Sequence, residues 1–171
     1  MSDTVIYLIR HSDACAKSNF KNIKNSDTVQ IYNEKSLLSV SGEKKAEAMS
    51  KIDELHNIDA VYSSNYVRAL STAKYVAQEN NTIINIDDRL IERDWGLCEG
   101  ASTLEVDRVK CWNYYLNYKG NAIEPLNLFM KRISGFICDI KHKYADKTVL
   151  IVTHSAVSRV IYYYLNGIPE D

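Results

Sequence analysis

Four short runs rich in β-branched residues recur along the chain, at residues 4–9 (TVIYLI), 60–63 (AVYS), 83–87 (IINID) and 148–153 (TVLIVT). Each is bounded by polar residues, too short for an ordinary helix, and reads as a buried strand. The segments between them carry a different period. Ser41 is positioned to cap a helix with Glu43 in its first turn, and Ala46, Met49, Ile52 and Leu55 continue at helical spacing. Further helices are expected at 66–78, 103–118, 125–144 and 155–165, the third of these with Pro125 in its first turn. Strands that alternate with helices need crossover connections. They therefore run parallel and build an α/β sandwich.

In open sheets of this kind, ligands bind outside the carboxyl ends of the strands. The residues there are polar and charged. The first strand runs into Arg10-His11, the second into Ser63-Ser64 with Arg68 early in the next helix, the third into Glu92-Arg93-Asp94, and the fourth into His154. Two long loops, 10–36 and 88–100, flank the same edge, and loops of that length in a small protein tend to be functional.

The remainder of the composition narrows what such an edge can serve. The chain has 171 residues, a length that suits one domain spanning 1–171, with no evident linker, repeat or low-complexity tract. With 22 acidic against 21 basic side chains the net charge is −1, so no nucleic-acid partner is expected. No apolar run approaches the roughly 20 residues of a membrane span, so no membrane partner is expected. At the N-terminus Asp3 precedes a short apolar stretch that meets Arg10, which is unlike a signal peptide. Cys15, Cys98, Cys111 and Cys138 are irregularly spaced without a C-x-x-C pair, which points to free thiols in a reducing cytoplasm.

Two arginines and two histidines at one rim make a locally cationic pocket in a near-neutral protein. An arginine fork matches phosphate oxygens, so a phosphoryl group is the natural occupant. The other common routes to phosphate or hydrolytic chemistry are missing. The chain has no P-loop, G-x-G-x-x-G, G-x-S-x-G or H-E-x-x-H sequence, and no cysteine followed six residues on by arginine. Histidine remains as nucleophile, with a carboxylic acid to protonate the leaving group. Glu92, Asp94 and Glu99 are all candidates for that acid. Lys17, Lys21 and Lys24 are candidates for steering an anion or for a solvated face. Trp112, Tyr114, Tyr115 and Tyr118 fit a substrate mouth or helix packing equally well, and Tyr162–Tyr164 fit packing.

The segment Leu8-Ile9-Arg10-His11-Ser12 resembles the L-x-R-H-G motif of the histidine phosphatase superfamily, also called the phosphoglycerate mutase-like family. The likeness continues in Leu38-Ser39 with Gly42 and Ala46, and in Ser63-Ser64 with Arg68-Ala69 and Thr72-Ala73. It recurs in Leu90-Ile91-Glu92 with Gly96 and Glu99-Gly100, in Val152-Thr153-His154-Ser155, and in Gly167-Ile168-Pro169. These pieces, in order over nearly the whole chain, are a specific match. The resemblance implies a three-layer α/β/α sandwich with a mostly parallel central sheet. It also implies a phosphomonoester phosphatase acting on a small phosphorylated substrate, without metal or organic cofactor. By the same resemblance His11 is the nucleophile that becomes phosphorylated, Arg10, Arg68 and His154 complete the phosphate pocket, and Glu92 is the proton donor.

Departures from the pattern bear on substrate more than on this set. Ser12 and Ser155 stand where the family has glycine, and Asp13, Ala14 and Lys17 replace a Glu-Thr and an asparagine. Of a family Gly-Glu-Ser, Ile123-Glu124-Pro125 keeps the glutamate. A mutase that returns the phosphoryl group to bound product is the alternative enzyme. The short stretch between Glu92 and His154 and the segment Trp95–Gly100 favour the phosphatase form. A phosphoryl-binding module is the non-enzymatic alternative; binding alone would not require the nucleophile and acid together. Family members commonly continue past the Gly-Ile-Pro turn, whereas this sequence stops at Asp171. Oligomeric state and the individual substrate have no readable signature.

Overall fold

In the computed structural model, residues 3–15, 35–99 and 106–168 are described. Strands β1 (Val5–Arg10), β2 (Ala60–Ser63), β3 (Ile84–Ile86) and β4 (Thr148–Thr153) form one parallel sheet in the order β1-β4-β2-β3. The most apolar run thus takes a central place. Val149 to Val152 are fully buried, as expected of a strand covered on both faces. Arg10 pairs with Thr153, and Ser63 with Val152, so three strands end level at one edge.

Helices α1 (Val40–Ser50), α2 (Val67–Glu79), α3 (Arg108–Trp112), α4 (Leu126–Lys143) and α5 (Ser155–Asn166) complete the element list. Alternate strand residues face opposite layers. Ala60, Tyr62, Val149 and Ile151 pack with Phe129, Ile133, Phe136, Val157 and Val160 of α4 and α5. On the other face, Val61, Leu150 and Val152 meet Ala69, Ala73 and Val76 of α2. The result is a three-layer α/β/α sandwich with a parallel centre. Phe129 and Phe136 have no exposed surface, and truncating either to alanine costs about 3–5 kcal/mol.

The strands lie where the sequence pattern puts them, within two residues at each end. The helices depart in three places. Ser39, not Ser41, caps α1: its hydroxyl accepts from the Gly42 amide at 3.0 Å, while Ser41 lies inside the first turn. That helix ends at Ser50, and Leu55 belongs to a separate 3-10 turn. Pro125 is the N-cap of α4 rather than its first residue, with an extended ψ of 136°.

Within residues 106–118, the described part of the helix expected over 103–118, one short α-helix forms, Arg108–Trp112. Asn113 ends it by accepting the Leu116 amide on its side chain at 2.8 Å, and Asn117 adopts a φ of 43°. Asparagine competes for backbone donors in this way, which a pattern of aromatic residues does not reveal. Lys17, Lys21, Lys24, Gly100 and Pro169 lie outside the described residues.

Candidate active site

Each strand delivers one part of the site at its carboxyl end. The His11 amide continues the β1–β4 ladder by donating to the Thr153 carbonyl at 2.8 Å, so backbone pairing sets the position of the ring. His11 Nδ1 donates to the Ser12 carbonyl at 2.8 Å, which places the proton on Nδ1 and the lone pair on Nε2. The loop beyond is held by Ser12, whose amide donates to Thr72 Oγ1 at 3.0 Å and whose hydroxyl donates to the Gly42 carbonyl at 2.8 Å. The backbone of residue 12 thus docks the loop on α2, and the serine hydroxyl in the family's glycine position adds the tie to α1. Gly42 itself is required by closeness: a Cβ there would stand 2.1 Å from the Asp13 carbonyl oxygen.

His154 follows β4 and is fully buried, its ring 5.2 Å from that of His11 and tilted by 57°. Arg68 Nη2 donates to His154 Nδ1 at 3.3 Å, so Nε2 carries the hydrogen and donates to Ser64 Oγ at 2.8 Å. Arg68 is 2% exposed and lies with its guanidinium 4.7 Å from the Tyr66 ring centroid. Tyr66 also stands edge-on to His154 at 5.1 Å. Burial pushes the His11 imidazolium down to about 4, and the charges of Arg68 and Arg10 push in the same direction. His154 falls to about 2, again by burial first and then by Arg68, His11 and Arg10. Both rings are neutral at pH 7. Arg10, exposed at the end of β1, is close enough for its charge to act on both histidines and on Glu92.

Glu92 reaches the same place from the loop after β3. Its Oε1 accepts from the Arg93 amide at 3.0 Å and from the Ala156 amide, in the first turn of α5, at 3.1 Å. Those donors and the nearby Arg68 and Arg10 favour the carboxylate. Burial outweighs them and raises the carboxyl above its ordinary value. The other two acids differ. Asp94 is exposed and spends Oδ1 on the Gly96 amide at 2.7 Å, in a turn where Gly96 takes a φ of 52°. Glu99 is exposed, yet partial burial and the charge of Asp94 raise its carboxyl too, with Arg68 acting against them.

Arg10, His11, Arg68, Glu92 and His154 are thus gathered at one edge, as the sequence places them. Other parts were not assigned from sequence. Ser64 sets the ring orientation of His154. Arg93, only 1% exposed, donates from Nε and Nη2 to the Glu124 carbonyl and from Nη1 to the Cys111 carbonyl. Arg132 of α4 and Glu124 form an ion pair at 2.7 Å beside the Glu92 loop. Ser64 and Arg93 stand among the polar residues at the strand ends, but the sequence gives neither a role. Arg132 carries no sequence signal.

Trp112 lies between Arg93 and Arg159, whose guanidinium carbons are 5.1 and 4.3 Å from its ring centroid. Tyr118 packs against the small cluster of Cys98, Val106, Cys111 and Ile123. Tyr114, Tyr115, Tyr162 and Tyr164 are exposed. The four cysteines are unpaired thiols. Among the described residues no group of histidine, cysteine, aspartate and glutamate is arranged to hold a metal ion.

Fold and site together define a phosphoglycerate mutase-like α/β protein with two histidines and an arginine buried at the carboxyl edge of its sheet. The chain belongs to the histidine phosphatase superfamily (branch 1), which it matches over residues 6–171. Phosphoserine phosphatase 1 of Hydrogenobacter thermophilus is 27% identical over 139 residues, covering 77% of this chain and 65% of that protein. The chain therefore aligns with just under two thirds of that relative's length. Among solved structures, Bacillus stearothermophilus YhfR superposes with a TM-score of 0.74 at 25% identity, covering 98% of this chain and 82% of that one. A mycobacterial glucosyl-3-phosphoglycerate phosphatase shares the fold with a TM-score of 0.73 at 17% identity, covering 95% of this chain and 79% of that chain. Among the described residues no helix is long and apolar enough to cross a membrane.

Proposed function

We propose that this chain hydrolyses small phosphomonoesters through a phosphohistidine on His11. The observation that carries the reading is the pairing of two neutral histidine rings, 5.2 Å apart, with the buried Arg68 and with Glu92 on the α5 N-terminus. Family membership and a relative named for phosphoserine support it. Arg10 and Arg68, with His154 held beside them, bind the phosphoryl oxygens and stabilise the charge that spreads over them in the transition state. His11 Nε2 attacks phosphorus, the P–O ester bond breaks, and Glu92 gives its proton to the departing oxygen. Water then attacks the phosphohistidine, the Glu92 carboxylate takes a proton from it, and the N–P bond breaks to release inorganic phosphate.

The pKa directions fit these roles. A histidine held near 4 keeps its lone pair at neutral pH, and a carboxyl held above its ordinary value keeps a proton for longer. We place the whole activity in one domain over 1–171, in the cytoplasm, with small phosphorylated metabolites such as phosphoserine as first substrates to test. A phosphomonoester panel with chelator present tests the reading. Activity in the wild type, its loss in His11→Ala and an acid-labile, base-stable phosphoenzyme are the expected results. Activity that survives His11→Ala would overturn the mechanism.

A further inference from the structure

We propose that Arg132 is the positioning residue for the proton donor, holding the Glu92 loop through a guanidinium whose donors are all engaged. The inference rests on the reading of Glu92 given above and adds a residue that no sequence motif marks.

Arg132 lies in the second turn of α4, and each of its five N–H groups has an acceptor. Nε donates to Glu124 Oε1 at 2.7 Å, and Nη2 donates to Glu124 Oε2 at 2.9 Å and toward the Glu92 carbonyl at 3.4 Å. Nη1 donates to the Arg89 carbonyl at 2.6 Å and to the Ile91 carbonyl at 2.8 Å. One side chain therefore holds three backbone carbonyls within four residues of the loop, and Glu124 fixes the plane of the guanidinium bidentately. The ring of Phe129 lies 4.5 Å below it.

The rest of the loop is pinned from outside as well. Thr153 Oγ1 donates to the Leu90 carbonyl at 2.7 Å, and the Glu124 amide donates to the Asp94 carbonyl at 2.9 Å. Arg93 ties the adjoining backbone to Glu124 and Cys111. No regular secondary structure holds Ile91 to Asp94, so these side-chain bonds replace the ladder that a strand would supply. The Glu92 carboxyl has to stay on the Ala156 and Arg93 amides, and small displacements of a catalytic group cost much of its rate. Lysine at 132 offers three donors on a point charge and cannot span the same acceptors.

Arg132→Lys and Glu124→Gln are compared with wild type on an alkyl phosphomonoester and on p-nitrophenyl phosphate, alone and in a Glu92→Gln background. Because the good leaving group needs little protonation, kcat in Arg132→Lys is expected to fall about 10–100-fold on the alkyl ester and less than about 3-fold on p-nitrophenyl phosphate. Glu124→Gln, which keeps the carbonyl bonds, moves the same way by less. Neither substitution adds to the loss in Glu92→Gln.

Hydrogen exchange gives a readout without turnover. The Ala156 and Arg93 amides, which Glu92 accepts, exchange faster in Arg132→Lys, while the Ser158 amide, bonded to the His154 carbonyl at 3.0 Å, stays as protected as in wild type. Equal losses on both esters, additivity with Glu92→Gln, or unchanged exchange at Ala156 and Arg93 would each overturn the proposal. A Glu92→Gln enzyme that shows no leaving-group preference would instead overturn the proton-donor reading, and the exchange result would still decide whether Arg132 places Glu92.

Discussion

The two sides of the pocket are built on different principles. On the histidine side, His11 and His154 sit one residue beyond paired strands, and the β1–β4 ladder fixes them before any side chain acts. On the acid side, Glu92 stands in a loop without regular structure, six residues past the end of β3. It is held by arginines from its own loop and from α4, by Glu124 and by the α5 N-terminus. A ladder position tolerates exchange of neighbouring side chains. A loop tied by guanidinium groups depends on every one of them, because a buried donor or acceptor left unpaired costs about 1–3 kcal/mol. The proposed nucleophile is therefore placed by backbone and the proposed proton donor by side chains, an arrangement that suits a carboxyl proposed to give up and regain a proton.

The sharpest test of that contrast is His11→Ala. Removing the nucleophile should lower hydrolysis by roughly 10⁴-fold or more on every substrate, good or poor leaving group alike, in steady-state assays. A residual rate near wild type would break the histidine side of the picture. Next in size, Glu92→Gln should cost about 10²–10⁴-fold on alkyl phosphomonoesters, and distinctly less on p-nitrophenyl phosphate. It should also remove the alkaline limb of the kcat profile, since the carboxyl is needed protonated. Equal losses on both substrates would assign the proton to another acid, with Glu99 first in line.

Stability against pH separates the sides again. At pH 7 the histidines are neutral in the folded and the unfolded chain, so they do not affect the balance. As pH falls below about 6.5 the unfolded chain takes up protons that His11 refuses until about 4 and His154 until about 2. The unfolded state is then favoured by about 1.4 kcal/mol per histidine per pH unit, or about 2 kcal/mol each at pH 5. Glu92 acts oppositely, because its raised carboxyl gains its proton in the folded state first. Urea unfolding at pH 7 and pH 5 should show the acid loss in wild type and a smaller one in His154→Gln; identical losses would contradict the burial of a neutral ring.

A smaller effect is expected from Gly42→Ala. The new Cβ meets the Asp13 carbonyl, so the loop after His11 must shift, at about 1–3 kcal/mol in a thermal melt. Smallest of all, Glu99→Gln should change kcat by less than about 3-fold, as suits an exposed carboxyl outside the α5 contact.

How much of this was legible beforehand follows the same division. The strands were readable because β-branched runs with polar ends specify buried parallel strands, and Arg10, His11, Arg68 and His154 were readable because the topology rule turns strand ends into a site. The stretch after Ala101 was not. Its aromatic spacing imitates a helix, while Asn113 and Asn117 divert the backbone into turns that a count of apolar positions does not register. The cap of α1 lies two residues before the expected Ser41: the two serines are chemically alike, and the fold sets the Ser39 hydroxyl on the Gly42 amide.

Sequence by itself determined the parallel α/β architecture and the cationic rim, because periodicity and motif are local properties that survive without coordinates. Only the tertiary structure decided which of Glu92, Asp94 and Glu99 lies on the helix amides, which tautomer each histidine takes, and that Arg132 holds the acid loop. Those outcomes rest on contacts between residues up to 90 apart in the chain, as between Ser64 and His154. Burial and hydrogen-bond direction come into being only when such segments are packed together.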